Sequence, residues 1–479
     1  MARRIKNESA ATKELLDECE IEAGELMRML KGLKEFSRPY LKLLPDKRLH
    51  GRGEDFLRGL LSDLERKSIE PIAERLGQYR RPLQYFIGES DWDHRPMLDL
   101  LCQQVVGDLG EASGVLVIDS SAFPKKGRDS VGVTRQWCGR LGKKENCQLG
   151  VFLGYVSNKG HALVDERLYM PRDWGRDKAR RKKCLVPPGL GFKTAAKLAL
   201  DMLGERCRAL PHRWIVADDE FGRGFAFRRE LQRMGERYVL DVPSSLSVRD
   251  VNAPRPPRGP GEQRGARRKV PFLQARRWMA GLKDEDWEKI YVRDGVKAPL
   301  IVWAARARVQ TKEHTRCSKG VQWVLVVKTN DKVPEYRYCL SNAEESVSLK
   351  EMVHAASARQ WIEDCFQRAK GKVGLDHYEV RSWGGWHHHM TLCLLALYFL
   401  VLEQRRLNRN TPAVSVQQTA EALGEILRDP DTDLKNLARK ITNRLRRNEQ
   451  TRIDYWRKLD RLPPSWTIVR AGRVPLFAQ

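Results

Sequence analysis

The sequence predicts an α/β fold flanked by helical regions, and three observations predict it. Short apolar runs of strand character recur from residue 113 onward, with turn signals and helix-spaced segments between them. Residues before 113 and after 405 carry apolar positions at helical spacing. The Pro-, Gly- and Arg-rich stretch VNAPRPPRGPGEQRGARRKVP interrupts the α/β pattern, and more strand-like runs follow it.

The elements follow in order. Residues 12–35 alternate acidic and apolar positions at helical spacing, and similar segments recur around 55–66 and 97–109, so 1–112 reads as a helical N-terminal region. GVLVIDSS reads as a buried strand; CQLGVFLGYVS and HALVDERLYMP read as two more, joined by the turn Asn158-Lys159-Gly160. KTAAKLALDMLGERCRAL is helix-spaced, RWIVAD is a fourth strand, GFAFRRELQRMG a short helix and RYVLDVP a fifth strand. Three strands, helix, strand, helix, strand over 113–243 is the order of an RNase H-like core, although many α/β folds share pieces of it. KIYVRDG, PLIVWAARARV, QWVLVVKT and YRYCLSN make 244–345 a β-rich insertion. Helical spacing resumes at Ser348, so 346–405 returns to the core, and 406–479 forms a basic helical C-terminal region.

Charge narrows the partner. Lys and Arg number 88 against 62 Asp and Glu, a net +26 that favours a polyanion such as DNA, with the N-terminal helices among its expected contacts. Ten cysteines occur without a CxxC pair or a completing His set, which reads as reduced, mostly buried thiols and suits the cytoplasm. The N-terminus MARRIKNESAATKELLDE lacks the apolar core of a signal peptide. The longest apolar run, Met390 to Leu402, falls short of the ~20 residues that span a bilayer, so no membrane partner is expected.

Three acidic residues stand out. On a strand, Val115, Val117 and Asp119 share one face. Burying Asp there is costly unless a cation compensates; alternatively the strand stops at Ile118 and Asp119 opens a turn. Asp218 ends RWIVA, where α/β sheets place ligand sites, but adjacent Asp219 and Glu220 leave the choice open. Ile362, Cys365, Phe366 and Ala369 make a helical apolar stripe, and Arg359, Glu363 and Lys370 line a neighbouring face. That face is either a solvated salt-bridge face or a ligand face with phosphate contacts from Arg359 and Lys370. Two strand-borne aspartates and a helix-borne glutamate suit two Mg²⁺ or Mn²⁺ ions. Lys125 and Lys126 follow the first Asp and read equally as backbone-phosphate contacts or an ordinary surface turn. His387, His388 and His389 are consecutive on a helix and point in different directions.

IDSSAFPKKG, SVGV and NCQLGVFLGY, then VADDEFG, then RQWIEDCFQRAKGKVGLDHYEVRSWGGWHHH, in this order over roughly 75–405, resemble the DDE transposases of bacterial insertion sequences, in particular the branch called DDE superfamily endonucleases. The resemblance implies an RNase H-like core with a β-rich insertion between the second Asp and the Glu. It implies Asp119, Asp218 and Glu363 as metal ligands for two Mg²⁺ or Mn²⁺ ions. The reaction it implies is nicking of double-stranded DNA at the element's ends, then attack of a 3′-hydroxyl on target DNA, by a homodimer that synapses two ends in the bacterial cytoplasm, at the nucleoid when bound. A Tyr, Arg, Glu, Lys signature of part of the family fits Arg359 and Lys370, but its Tyr position falls on Ala356. Asp119-Ser120-Ser121 stands where Asp-Asp-Thr is common. Some relatives form DNA hairpins, for which Trp323 or Trp303 would hold a flipped base; strand tryptophans otherwise belong to the core. The competing readings are a catalytically silent DNA-binding relative and an endonuclease without strand transfer.

Overall fold

The computed structural model describes residues 2–256, 269–313, 316–318, 320–429 and 431–470. The first five strands are Val115–Pro124 (β1), Thr134–Cys138 (β2), Lys143–Ser157 (β3), Gly160–Leu168 (β4) and Trp214–Ala217 (β5). Tyr238–Asp241 (β6), Ser247–Asp250 (β7), Leu273–Gln274 (β8) and Glu288–Asp294 (β9) follow. The last are Pro299–Glu313 (β10), Arg316–Cys317 (β11), Gln322–Thr329 (β12) and Tyr336–Ser341 (β13).

Among the described residues, all thirteen strands belong to one mixed sheet. Its path runs β2-β3-β1-β5-β6-β13-β12-β10-β7-β8, with β4 on β3 and with β9 and β11 on β10. At its centre β1, β5 and β6 lie parallel, and β3 runs antiparallel along β1. β13 pairs antiparallel with β6, so the strands after residue 244 continue this sheet. β1 is buried from Val115 to Asp119 on both faces, as expected of a central parallel strand covered by helices. It does not stop at Ile118. Pairing with β3 runs on to Pro124 opposite Cys147, which leaves Asp119 in mid-strand.

Helices cover the sheet. Val416–Arg428 and the basic Leu434–Arg457 pack with the N-terminal helix Ala23–Leu41. The acidic stretch expected to be helical over 12–35 is broken between Ala2–Asp17 and Ala23–Leu41. The apolar run at Met390 sits in the 25-residue helix Trp383–Leu407. On length and composition this helix could cross a membrane, but its apolar window is 94% buried within the fold. A helix apolar all round is a core helix where neighbours enclose it, and β4 and the helix Arg48–Leu61 do so here. All ten cysteines are free thiols.

Candidate active site

Register assembles the site. Ile118 pairs with Ala217, and Ala217 with Leu240, across three parallel strands. The next position on each chain is an aspartate: Asp119, Asp218 and Asp241. Parallel neighbours lie ~4.8 Å apart, so three carboxyl groups leave one row at one edge of the parallel sheet. Asp119 is 8% exposed and Asp241 9%.

The glutamate arrives from the helix Gln360–Val373, and packing fixes where it lands. Asp119 pairs directly with Phe152 of β3, so both side chains share a face. Phe366 packs edge-on to Phe152, with centroids 5.1 Å apart. Two residues on, Gly154 lies under Ile362, where even an added Cβ would meet it at an ordinary contact distance of 3.4 Å. Ile362, Cys365, Phe366 and Ala369 are all buried, as their spacing predicts. This anchoring turns the neighbouring helical face, with Arg359 and Glu363, toward Asp119.

Arg359 stands among the acids. Its Nη2 lies 2.8 Å from Glu363 Oε1, its Nε 3.1 Å from Asp241 Oδ2, and its Nη1 4.0 Å from Asp119 Oδ2. Burial pushes the Asp119 carboxyl up to about 7; the charge of Asp218 adds to the rise and Arg359 opposes it. Burial likewise raises Asp218 to about 6, with Glu220 adding and Arg359 opposing. These acids are crowded and under-compensated, which is the state a cation relieves.

The three candidates at the second position separate. Asp218 lies in the row beside Asp119 and accepts from the Glu220 backbone at 3.0 Å, capping the short helix Asp219–Gly222. Asp219 pairs with Arg223 at 2.8 Å. Glu220 accepts from the Ser120 hydroxyl at 2.8 Å, tying that helix to β1. An added Cβ at Gly222 would lie 1.9 Å from the Asp241 carbonyl oxygen. Gly222→Ala is therefore expected to destabilise by about 2–3 kcal/mol, the size of an overpacking clash, and to displace Asp218. Urea unfolding checks this; an unchanged midpoint defeats it.

A divalent site fits the donor set. Asp119, Asp218 and Glu363 offer only carboxylate oxygens, the donors that Mg²⁺ and Mn²⁺ prefer, and a guanidinium already occupies the cation's electrostatic role. Among the described residues, the ligand groups gathered within 4.8 Å are His94/Glu166/His387 and Cys207/His212/Glu236, not these three.

The basic and aromatic candidates divide. Lys126 is exposed. Lys125 turns inward: its amino group donates to the Tyr378 carbonyl at 2.9 Å, lies 3.4 Å from that ring's centroid and is lowered by burial to about 8. Lys370 sits 5.6 Å from the Phe123 ring centroid, and burial lowers its pKa. Trp323 donates to the Ala343 carbonyl at 3.0 Å and lies under the guanidiniums of Arg306 and Arg308. The consecutive histidines diverge. His387 meets Glu166 at 3.0 Å, His388 the carbonyls of Ile87 and Trp92, and His389 the Gly374 carbonyl. Sequence reasoning left Asp241 without a role, although RYVLD repeats the apolar-run-then-Asp pattern of VLVID and WIVAD.

An open cleft beside the row is lined by Asp218, Asp219, Asp241, Arg276, Arg337 and Arg359. Basic walls around an acidic row allow one substrate phosphate to be held while charge develops on another atom.

The model of the DDE superfamily endonuclease family matches residues 39–299, a stretch that contains Asp119, Asp218 and Asp241 and ends before Glu363. The chain is 22% identical over 358 residues to a probable transposase for insertion sequence element IS701 from Microchaete diplosiphon, covering 73% of this chain and 82% of that protein. The crystal structure of the NurA nuclease from Sulfolobus solfataricus aligns with 63% of this chain and 97% of its own at 10% identity, with a TM-score of 0.22, too low to bear on fold or function.

Proposed function

We propose, from the premise that this chain belongs to the DDE superfamily endonuclease family, that it is an insertion-sequence transposase that cleaves double-stranded DNA at the element's ends and joins the 3′-hydroxyl to target DNA. The observation that carries this reading is the register placing Asp119 and Asp218 side by side, with the Glu363 helix pinned on the same face. The architecture proposed with it is an RNase H-like core over 113–243 and 346–405, interrupted by the insertion 244–345, with a DNA-contacting helical region over 1–112 and a basic helical one over 406–479.

Asp119, Asp218 and Glu363 are the residues that would hold Mg²⁺ or Mn²⁺. When bound, two such ions supply activation of the attacking oxygen and charge neutralisation at the leaving oxygen of an in-line displacement. The chain's own groups do the positioning. Asp218 is held in place by its cap to the Glu220 backbone, and the Ser120 hydroxyl ties Glu220 to β1. The two Nη atoms of Arg359, which now face Glu363 and Asp119, would offer a planar fork to a substrate phosphate once those carboxylates hold ions. Lys126 extends the basic surface outward, and Lys370 lies seven residues beyond Glu363 on the helix, where it can meet DNA if it swings from the Phe123 ring. Two copies of the chain holding two element ends complete the proposal.

Labelled duplexes carrying the element's ends, incubated with the full chain, Mg²⁺ and target DNA, test it. The expected products are nicks with 3′-hydroxyl ends and joined strands. Nicks without joining support an endonuclease; neither product, with DNA still bound, supports a silent DNA-binding protein.

A further inference from the structure

Asp241 is the third member of the aspartate row, and one of its oxygens, Oδ1, is already hydrogen-bonded by protein. Arg337 Nε donates to its Oδ1 at 2.7 Å, the Cys339 thiol donates to the same oxygen at 3.2 Å, and Arg359 Nε faces its Oδ2 at 3.1 Å. Arg337 and Cys339 both come from β13, whose pairing with β6 sets Cys339 opposite Asp241. The carboxylate is thus fixed from behind by the strand added after residue 244, and from the front it forms an ion pair, without a hydrogen bond, with the guanidinium that also reaches Glu363 and Asp119.

A guanidinium that neutralises Glu363 and Asp119 competes with any divalent ion for the same oxygens. It must release them for the ion to bind, yet remain close to serve a phosphate. Among the described residues that pair with Arg359, Asp241 is the one that the ions do not require. We infer that Asp241 is a positioning residue: fixed by Arg337 and Cys339, it retains Arg359 at the edge of the row so that Glu363 and Asp119 can be given over to divalent ions. This inference rests on the reading of Asp119, Asp218 and Glu363 as the ion-holding set.

Mn²⁺ binding to the full chain without DNA, followed by electron paramagnetic resonance of the free ion, tests it without any need for turnover. Asp241→Asn is expected to weaken Mn²⁺ binding about tenfold, the size of the effect one opposite charge within about 4 Å has on a neighbouring charge equilibrium, because Arg359 then leans wholly on Glu363 and Asp119. Arg359→Gln is expected to tighten binding several-fold. In the Arg359→Gln background, Asp241→Asn is expected to have no further effect, since nothing remains to be positioned. Equal effects of Asp241→Asn in both backgrounds overturn the inference, because a metal ligand, a fold brace or a distant charge acts whether or not Arg359 is present. Should Asp241→Asn fail to fold once Arg337 loses its partner, Arg359→Gln decides alone, and unchanged or weaker Mn²⁺ binding overturns it. Asp119→Asn is the control for the underlying reading. Full Mn²⁺ affinity in that variant removes the ion-holding set itself, whereas a loss there combined with no response in Asp241→Asn removes only the role of Asp241.

Discussion

Asparagine at Asp119 or Asp218, or glutamine at Glu363, is expected to leave duplex DNA bound while strand cleavage in Mg²⁺ falls on the order of a thousandfold or more. Several kcal/mol of transition-state charge stabilisation depend on correctly held ions, and each 1.4 kcal/mol is a factor of about ten in rate. The substitutions are gentle by design. Asn at 218 can still accept from the Glu220 backbone, so the short helix keeps its cap. Asn at 119 keeps the acceptor now used by the Ser120 amide at 2.7 Å. Gln at 363 removes one half of the Arg359 ion pair, on a side chain 41% exposed, where such a pair adds little to stability. Lost cleavage in these variants is therefore lost chemistry and not lost structure. Asp219→Asn is the informative companion: its carboxylate pairs with Arg223, outside the row, and cleavage should survive. Gel analysis of labelled ends measures all four. Full cleavage in any of the first three would sink the assignment of that residue, and loss in Asp219→Asn would move the second ligand one place along.

The sequence made some of this site legible and concealed the rest for physical reasons. Apolar runs long enough to be central strands announced β1, β3, β5 and β6, and the 3.6-residue stripe announced the face on which the Glu363 helix packs. Asp119 was ambiguous because strand continuation past Ile118 depends on pairing with β3 out to Cys147, a contact 23 residues downstream that local pattern does not encode. Short strands escaped altogether. β7 and β8 carry four and two residues, too few to show a period, and β7 gains its pairing from the distant β10. Lys125 and Lys126 are indistinguishable as letters, yet one tucks under Tyr378 and the other faces solvent, because β1 continues almost to them and alternates its sides. Asp241 is the instructive omission. Its local signal matched those of Asp119 and Asp218, but its relation to them exists only in register, where three strands separated by long connections align one residue past Ile118, Ala217 and Leu240.

Register also has a thermodynamic consequence that can be measured without DNA. Asp119 and Asp218, raised from 3.8 to about 7 and about 6 in the fold, are harder to ionise folded than unfolded. The unfolded chain therefore releases these protons first. The stability they permit is whole below about pH 4, the unfolded carboxyl range, and is lost as pH rises through 6 and then 7. For Asp119 alone the loss approaches about 4 kcal/mol, at about 1.4 kcal/mol per pH unit of displacement. Buried His387 and His389, held below the ordinary imidazole range by desolvation, act in the opposite sense, so the whole-protein profile mixes both trends. Subtraction isolates the site. Asp119→Asn is expected to melt near the wild type at pH 4 and several degrees above it at pH 8 in the absence of divalent ions. Mn²⁺ at a hundredfold excess over its dissociation constant adds about 2.7 kcal/mol to any species that binds it folded only. It should therefore raise the wild-type Tm most at pH 8, where binding no longer has to expel protons, and raise Asp119→Asn least. Calorimetry at pH 4 to 8 with and without Mn²⁺ gives all four curves. A difference between wild type and variant that stays flat across that range would mean Asp119 carries no buried, crowded charge, and the electrostatic reason for a cation at this row would go with it.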